Sequence, residues 1–109
     1  MELTRIETNQ DVLTLSLEGD FDATGARAAQ PYIDNIISMD DHAEIEIDFN
    51  LVKFLDSSGV GAMVYLYKRL VEHNRSMRIE NAKGQPLEII KLLRIGHAIP
   101  VNSKSLDFA

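Results

Sequence analysis

Residues 45–71 read IEIDFNLVKFLDSSGVGAMVYLYKRLV, a segment in which the pattern of a strand is followed by the pattern of a helix. Its first five residues alternate between apolar and acidic side chains, which is the period of a strand with one buried face. From Val60 onward the apolar residues recur every three or four positions, which is the period of an amphipathic helix. The segment between them, residues 54–61, reads FLDSSGVG. The sequence therefore predicts a strand that ends near Phe49, a short connection and a helix.

The flanking segments predict further strands on both sides of this unit. Residues 13–17 alternate between leucine and polar side chains, and residues 2–7 are expected to pair with them across a polar turn at 8–11. Residues 77–80 repeat the alternation, and residues 98–101 predict a last short strand. Because these strands have one apolar and one charged face, we expect helices to cover mainly one side of the sheet.

Three helical segments lie between the predicted strands. Pro31 either kinks a helix that begins near Asp22 or occupies the first turn of a shorter helix at 32–37. A third helix is expected between Pro86 and Gly96, with Leu87, Ile90 and Leu93 on its apolar face. The apolar stripe of the second helix comprises Val60, Met63, Val64, Tyr67, Leu70 and Val71. The order β-β-α-β-α-β-α-β predicts an α/β fold, a two-layer domain with a mixed β-sheet.

Length and composition predict one globular domain spanning residues 1–109. The chain has a mass of 12.2 kDa, with 45% apolar and 26% charged residues. Eleven Lys and Arg against seventeen Asp and Glu give 11 − 17 = −6. This negative charge argues against nucleic acid and anionic membrane surfaces as partners, because both are themselves anionic.

The absence of certain residue patterns narrows the function classes. There is no cysteine, so disulfides, thiolate metal sites and cysteine nucleophiles are excluded. No apolar run is long enough to cross a bilayer. Residues 1–5 lack a basic and then apolar leader, so we expect a cytoplasmic protein without membrane insertion.

The segment Asp56-Ser57-Ser58-Gly59 carries the most chemical information. An Asp or Ser before an apolar helical run is an N-cap signal, because its side-chain oxygen accepts from an otherwise unpaired N–H. Capping alone accounts for this pattern. A second interpretation is that one of the hydroxyls is a phosphorylation site, since a helix N-terminus suits an anion. Gly59 and Gly61 keep the first turn thin, which would let a partner approach closely.

A serine hydrolase is the competing chemical interpretation. It requires a base and an orienting acid near Ser57, and the Gly-x-Ser-x-Gly elbow is missing because Leu55 replaces its first glycine. His42, His73 and His97 show no pattern that ties them to the serine, and each is expected to be a surface or helix-end residue. We therefore expect no catalytic residue, no enzyme activity and no cofactor.

A second polar segment, residues 19–24, is explained by a turn followed by a helix cap at Asp22. Asp20 and Asp22 lack the further spaced oxygen ligands of a calcium loop, so no metal site is expected. Residues 84–86 predict a turn before the third helix, and no phosphate-binding glycine loop is present.

With these motifs identified, the chain resembles the STAS-domain family of bacterial anti-sigma factor antagonists. The resemblance extends from about Leu3 to about Val101. It rests on four segments, namely Gly19–Ala23, Ile45–Phe49, Val52–Gly61 and Leu92–Gly96. It implies a STAS fold. It also implies that Ser57, the serine after the aspartate, is a phosphoacceptor.

The resemblance further implies a partner-switching regulator. Such a protein binds, when unphosphorylated, a serine kinase of the histidine-kinase-like ATPase type that doubles as an anti-sigma factor. The kinase releases it by phosphorylating Ser57, and a PP2C-type phosphatase resets it. The partner-binding residues implied are Asp22, Asp56, Ser57, Ser58, Gly59 and Val60. The free protein is expected to be a monomer.

Some features depart from the family pattern or leave alternatives open. Val60 replaces a common leucine, and Asp20 stands where many relatives carry glutamate or another polar residue. Residues 102–109 form a shorter segment than the one that makes a closing helix in many relatives, so whether this chain has a closing helix is left undecided. Ser58 is an alternative acceptor. The alternative function is a STAS docking subunit of a signalling or membrane transport complex that does not switch.

Overall fold

The sheet and its helices alternate along the chain as the sequence predicts. In the computed structural model, which describes residues 1–103, the fold is an α/β domain with a four-stranded mixed sheet and three α-helices. The elements are β1 (Glu2–Glu7), β2 (Val12–Phe21), α1 (Ala23–Ser38), β3 (Glu44–Leu55), α2 (Ser57–Glu72), β4 (Ser76–Glu80), α3 (Gly84–Leu92) and a final 3₁₀ turn (Ile95–His97).

The strands lie in the order β1-β2-β3-β4. β1 and β2 form an antiparallel hairpin, as expected from the polar turn between them. β2 pairs in parallel with β3, and β3 with β4, because α1 and α2 carry the chain back along the sheet before each new strand. The carboxyl ends of β2 and β3 consequently meet at one edge.

The apolar face of the sheet forms the core together with the helices. Its central side chains are completely or almost completely buried, among them Leu13, Leu15, Leu17, Ile45, Ile47 and Ile79. Ile33 of α1 and Leu66 of α2 close this layer at 0% exposure. Burial of such aliphatic side chains supplies about 1.5–3 kcal/mol each, so this layer is the main source of stability.

The opposite face of the sheet is charged, and its charges are paired. Arg78 of β4 contacts Glu44, lies 2.8 Å from Glu46 and lies 3.1 Å from Glu80. Thr14 on β2 donates a hydrogen bond of 2.8 Å to Glu46. The prediction of one apolar and one charged face is confirmed, and these contacts show how the acidic residues are accommodated there.

Three predicted strand boundaries are wrong. The segment at Gly19, predicted as a turn, continues β2 to Phe21, and the register shifts there at a bulge where Gly19 has a φ of 109°. β3 does not end near Phe49 but continues to Leu55. The bulge disturbs the alternation that identifies strands, which is why the pattern stopped early. The predicted last strand is a single parallel bridge between Ile79 and Val101.

The helices also differ from prediction in detail. Pro31 lies inside α1, which begins directly after Asp22, so the longer-helix alternative is correct. The buried apolar face of α2 differs from the predicted one, because Leu66 is completely buried whereas Val71 is 50% exposed. α3 ends at Leu92, which leaves Leu93 exposed and outside the helix.

Two further predictions concern the connections and the tail. His42 was expected at the surface but is buried, and its carbonyl accepts a 2.7 Å hydrogen bond from Arg75. His73 is the C-cap of α2, which confirms it as a helix-end residue. The closing helix considered for the tail falls mostly on residues 104–109, which lie outside the described residues.

Candidate functional site

The predicted site forms where β2 and β3 end side by side. Phe21 and Leu55 are paired across the two strands, and each is followed by an aspartate that begins a helix. Asp22 therefore starts α1 beside the point where Asp56 starts α2. Parallel pairing brings the two turns to the same sheet edge although they are more than thirty residues apart in the sequence.

Both aspartates are N-caps. The Asp56 carboxylate accepts hydrogen bonds from the backbone N–H of Ser58, at 2.9 Å, and of Gly59, at 3.4 Å. The Asp22 carboxylate accepts from the N–H of Gly25 at 2.9 Å. A backbone hydrogen bond of 3.3 Å from Asp56 to Phe21 ties the two turns together. These bonds satisfy N–H groups that have no partner inside a helix, so each cap stabilises its helix.

Gly59 lets α2 start directly against the strand end. A Cβ atom at this position would lie 2.3 Å from the Phe21 carbonyl oxygen and 2.7 Å from a Leu55 methyl carbon. No side chain fits at these distances. Gly59 is accordingly buried, and its role in the site is to allow this close approach and so to fix the position of the residues before it.

Ser57 is exposed at the first position of α2. Residues at spacings of four and then three along the helix lie on the same side and are exposed as well. We call Ser57, Gly61, Tyr65 and Lys68 the α2 stripe. Tyr65 is 40% exposed, and a Cβ atom at Gly61 would meet no atom of residues 1–103 within 4 Å apart from the backbone of its own helix turn. The α2 stripe is therefore a shallow surface with a phenol ring at its middle.

A side chain from α3 holds the end of β3 in place. The Gln85 amide nitrogen donates to the Leu55 carbonyl, and its amide oxygen accepts from the Leu55 N–H, both at 2.8 Å. One side chain thereby reproduces the two hydrogen bonds of a neighbouring strand at the last residue before Asp56. The segment that leads to Ser57 is fixed on one side by β2 and on the other by Gln85.

A match to a known family covers almost the whole chain. The family model of the STAS domain matches residues 4–107. The chain belongs to the STAS domain family. The resemblance stated from its motifs is confirmed, and with it the expectation of a STAS fold.

Solved structures of anti-sigma factor antagonists share the architecture of this STAS domain. SpoIIAA, a Bacillus cell fate determinant, solved in its unphosphorylated form, is 17% identical with a TM-score of 0.73 over 97% of this chain and 96% of its own. A putative antagonist from Thermotoga maritima is 13% identical, with a TM-score of 0.80 over 97% and 91%. One from Mycobacterium paratuberculosis is 21% identical, with a TM-score of 0.77 over 94% and 86%. At these identities the likeness establishes the fold.

The predicted partner-binding residues of this STAS domain fall into two groups. Asp22, Asp56, Ser57 and Ser58 gather at the sheet edge, where Ser57 is exposed and Ser58 is half-buried. The other two differ, because Gly59 is buried and Val60 packs partly against the core. They are placed to shape the turn.

Sequence reasoning missed one residue of the site and underused two others. Gln85 was considered only as part of a turn, because no local pattern shows which backbone group a distant amide will reach. Gly61 and Tyr65 follow Ser57 at helical spacing, and this spacing is the sequence signal for the α2 stripe.

The chemistry available at this edge is limited. His42 precedes β3 and His73 follows α2, so both lie at the far ends of the elements that meet at Ser57. Within residues 1–103, no group of three His, Asp or Glu side chains is placed to hold a metal ion. In the same part of the chain, no helix is long and apolar enough to cross a membrane. The site offers an exposed hydroxyl and a shallow, exposed helix surface.

Proposed function

We propose that this STAS domain is an anti-sigma factor antagonist of the partner-switching type, with Ser57 as its phosphoacceptor. The observation that carries the proposal is the exposed Ser57 hydroxyl at the start of α2, directly after a capping aspartate and at the head of the α2 stripe. SpoIIAA, whose fold this chain shares, has been solved in both a phosphorylated and an unphosphorylated form.

A phosphoryl group on Ser57 would change the docking surface more than the fold. Asp56 already accepts the N–H groups of Ser58 and Gly59, so the phosphate would gain little from them. It would instead add about −1.5 to −2 charges beside a carboxylate, at the exposed head of the α2 stripe. A partner docked there would have to bury or repel that charge. A loss of about 2.7 kcal/mol in binding free energy lowers affinity about a hundredfold.

In this cycle the chain is a substrate and a binding module, and its partners do the chemistry. The unphosphorylated form binds a serine kinase of the histidine-kinase-like ATPase type, which doubles as an anti-sigma factor. Phosphorylation at Ser57 ends the complex, and a PP2C-type phosphatase restores the free hydroxyl. ATP and metal ions belong to those partners. We place the cycle in the cytoplasm, with residues 1–109 acting as one domain and as a monomer when free.

The first test compares Ser57 with its neighbour. The protein is purified from its native cells as the parent, as Ser57→Ala and as Ser58→Ala, and its intact mass is measured before and after phosphatase treatment. We expect a singly phosphorylated population in the parent and in Ser58→Ala, and none in Ser57→Ala. Fragmentation across Leu55–Tyr65 then locates the group. Ser58→Ala is the matched control because it removes an identical hydroxyl one residue along the same helix turn.

One outcome would contradict the assignment of Ser57 as acceptor, and another would contradict the switch itself. Phosphate that persists in Ser57→Ala but disappears in Ser58→Ala would move the acceptor to the half-buried serine. A complex that forms in cells equally with the parent and with Ser57→Asp would show that charge at this position does not control docking. That second result would favour a constitutive docking subunit of a signalling or transport complex.

A further inference from the structure

A cavity at the end of α3 has no part in the proposed switch. Its volume is about 410 Å³, within the range of about 300–1,000 Å³ typical of small-molecule pockets. Its apolar wall consists of Leu87 and Ile90 of α3 and of Val101, the residue that forms the parallel bridge with Ile79. Ile90 is almost completely buried, so this wall continues into the core and has a fixed shape.

The rim of the cavity is basic. Lys91, Arg94 and His97 line it at a spacing of three residues, and all three are exposed. No acidic side chain of residues 1–103 lines the cavity. A rim with three basic residues is unusual in a chain with a net charge of −6, in which seventeen acidic residues outnumber eleven Lys and Arg. An apolar wall and a basic rim together complement an anion attached to an apolar body.

The backbone at Arg94 reinforces this argument. Arg94 has a φ of 56° and a ψ of 35°, the left-handed conformation in which helices usually end on glycine. A side chain there costs about 1–2 kcal/mol relative to glycine. The left-handed residue joins α3 to the 3₁₀ turn, through hydrogen bonds of 3.1 Å from Arg94 to Lys91 and from His97 to Arg94. Backbone strain of this kind clusters at ligand-binding and other functional sites.

We infer that this cavity binds a small carboxylate with an apolar chain, its carboxylate at the rim formed by Lys91, Arg94 and His97 and its chain against Leu87, Ile90 and Val101. The two parts of the ligand are recognised separately. Guanidinium and ammonium groups hold the carboxylate by charge-assisted hydrogen bonds, and the apolar wall removes the chain from water. Binding at this cavity does not involve Ser57, so its test is independent of the test of the proposed switch.

The test titrates the full chain with octanoate while backbone amide shifts are followed by NMR. Octanol supplies the chain without the charge, and acetate supplies the charge without the chain. We expect saturable shifts centred on Ile90, Gly96 and Val101 with octanoate, and affinities at least about tenfold weaker for both other probes.

The decisive variant is Arg94→Gly. It removes the guanidinium, while glycine adopts the left-handed conformation without strain. We expect octanoate affinity to fall about tenfold and the thermal midpoint to stay level or rise. Lys53→Gln, which removes an exposed cation on β3, is the matched control and should bind octanoate as the parent does.

Four results would overturn the inference. They are no saturable binding of octanoate, equal affinity for octanol, shifts centred away from the cavity, or undiminished binding by Arg94→Gly. A fifth contrary result would be a rise of about tenfold in octanoate affinity on Phe108→Ser. That result would mean that the chain's own residues 104–109 compete for the cavity and are its occupant.

Discussion

At the scale of single residues, Gly59 and Gly61 lie two positions apart near the start of α2, where Gly59 is buried and Gly61 is exposed. Gly59→Ala would place a methyl group 2.3 Å from the Phe21 carbonyl oxygen, so the helix start must move. We expect a loss of about 3 kcal/mol in the free energy of unfolding. Gly61→Ala meets nothing within 4 Å and should raise it by about 0.5–1 kcal/mol, because alanine favours the helix. Urea unfolding of the two variants and the parent measures both changes.

The two variants control for each other, since each adds one methyl group to the same turn of the same helix. Equal stability of Gly59→Ala and Gly61→Ala would show that α2 does not need its close approach to β2. If Gly61→Ala folds as expected, larger side chains at position 61 become probes of docking. Gly61→Gln should then fold normally and weaken binding of any partner that lies on the α2 stripe.

Residues whose roles are local were predictable from the sequence. Asp22 was predicted as an N-cap, and an Asp or Ser cap was predicted for the segment that begins at Asp56, because a cap acts on the backbone two or three residues ahead. The role of Gly59 depends on Phe21, which is distant in the chain and reaches it only through parallel strand pairing. His42 was misplaced for the same reason, since its burial depends on how α1 and Arg75 pack around the connection.

At the scale of elements, Gln85 couples α3 to the strand that leads to Ser57. Gln85→Ala removes both hydrogen bonds to Leu55 and should lower the free energy of unfolding by about 1–2 kcal/mol. The distinctive effect is local, because the Leu55 N–H loses its acceptor. We expect its amide exchange with deuterium to accelerate at least about tenfold relative to a core amide such as that of Ile47.

Asn102 offers a matched control for this prediction. Its side chain makes the same pair of hydrogen bonds, each 2.9 Å, with the backbone of Ala82. Its φ is 54°, so Asn102→Gly removes the pair without straining the backbone. This variant should lose comparable stability and leave exchange at Leu55 unchanged. Faster exchange at Leu55 in both variants would mean that Gln85 has no special part in fixing the site.

The existence and order of the elements followed from their periodicity, whereas their ends did not. α2 and the core of β3 were predictable because regular alternation and helical spacing are repeated several times along each. Residues 50–55 were missed as strand because the register shift near Leu51 exposes an apolar residue and breaks the alternation. The end of β2 was missed for the same reason, because the register also shifts between Gly19 and Asp20. Bulges next to a functional turn are thus the places where pattern reasoning is weakest.

At the scale of the whole molecule, an ion pair connects the N-terminal strand to the segment that follows α1. β1 is an edge strand of the sheet and pairs with β2. Its Arg5 donates two hydrogen bonds, of 2.6 and 2.9 Å, to the carboxylate of Asp40, which follows α1. The sequence showed that both residues are charged but not that they meet, because they are separated by the whole of β2 and α1. This ion pair fastens the N-terminal strand to the helical layer.

The Arg5–Asp40 pair makes stability depend on pH in a defined direction. The hydrogen bonds from Arg5 lower the pKa of Asp40 below its usual value, because they stabilise the charged form. A carboxylate whose pKa is lower in the folded state contributes its stability above the unfolded pKa, about 3.9. That contribution is lost as the pH falls from there through the folded pKa. The pair should therefore stabilise the protein fully at pH 7 and progressively less below about pH 4.

Asp40→Asn tests this directly. At pH 7 we expect it to lower the free energy of unfolding by about 1–2 kcal/mol, because the mostly buried carboxylate loses its charge while Arg5 stays. As the pH falls from about 4 through the lowered pKa of Asp40, the parent protonates this carboxylate, so the urea midpoints of parent and variant should converge. Asp41→Asn, which changes the exposed neighbour, should differ little from the parent throughout. A difference between Asp40→Asn and the parent that is as large at pH 3 as at pH 7 would show that shape, and not charge, holds β1 to the helices.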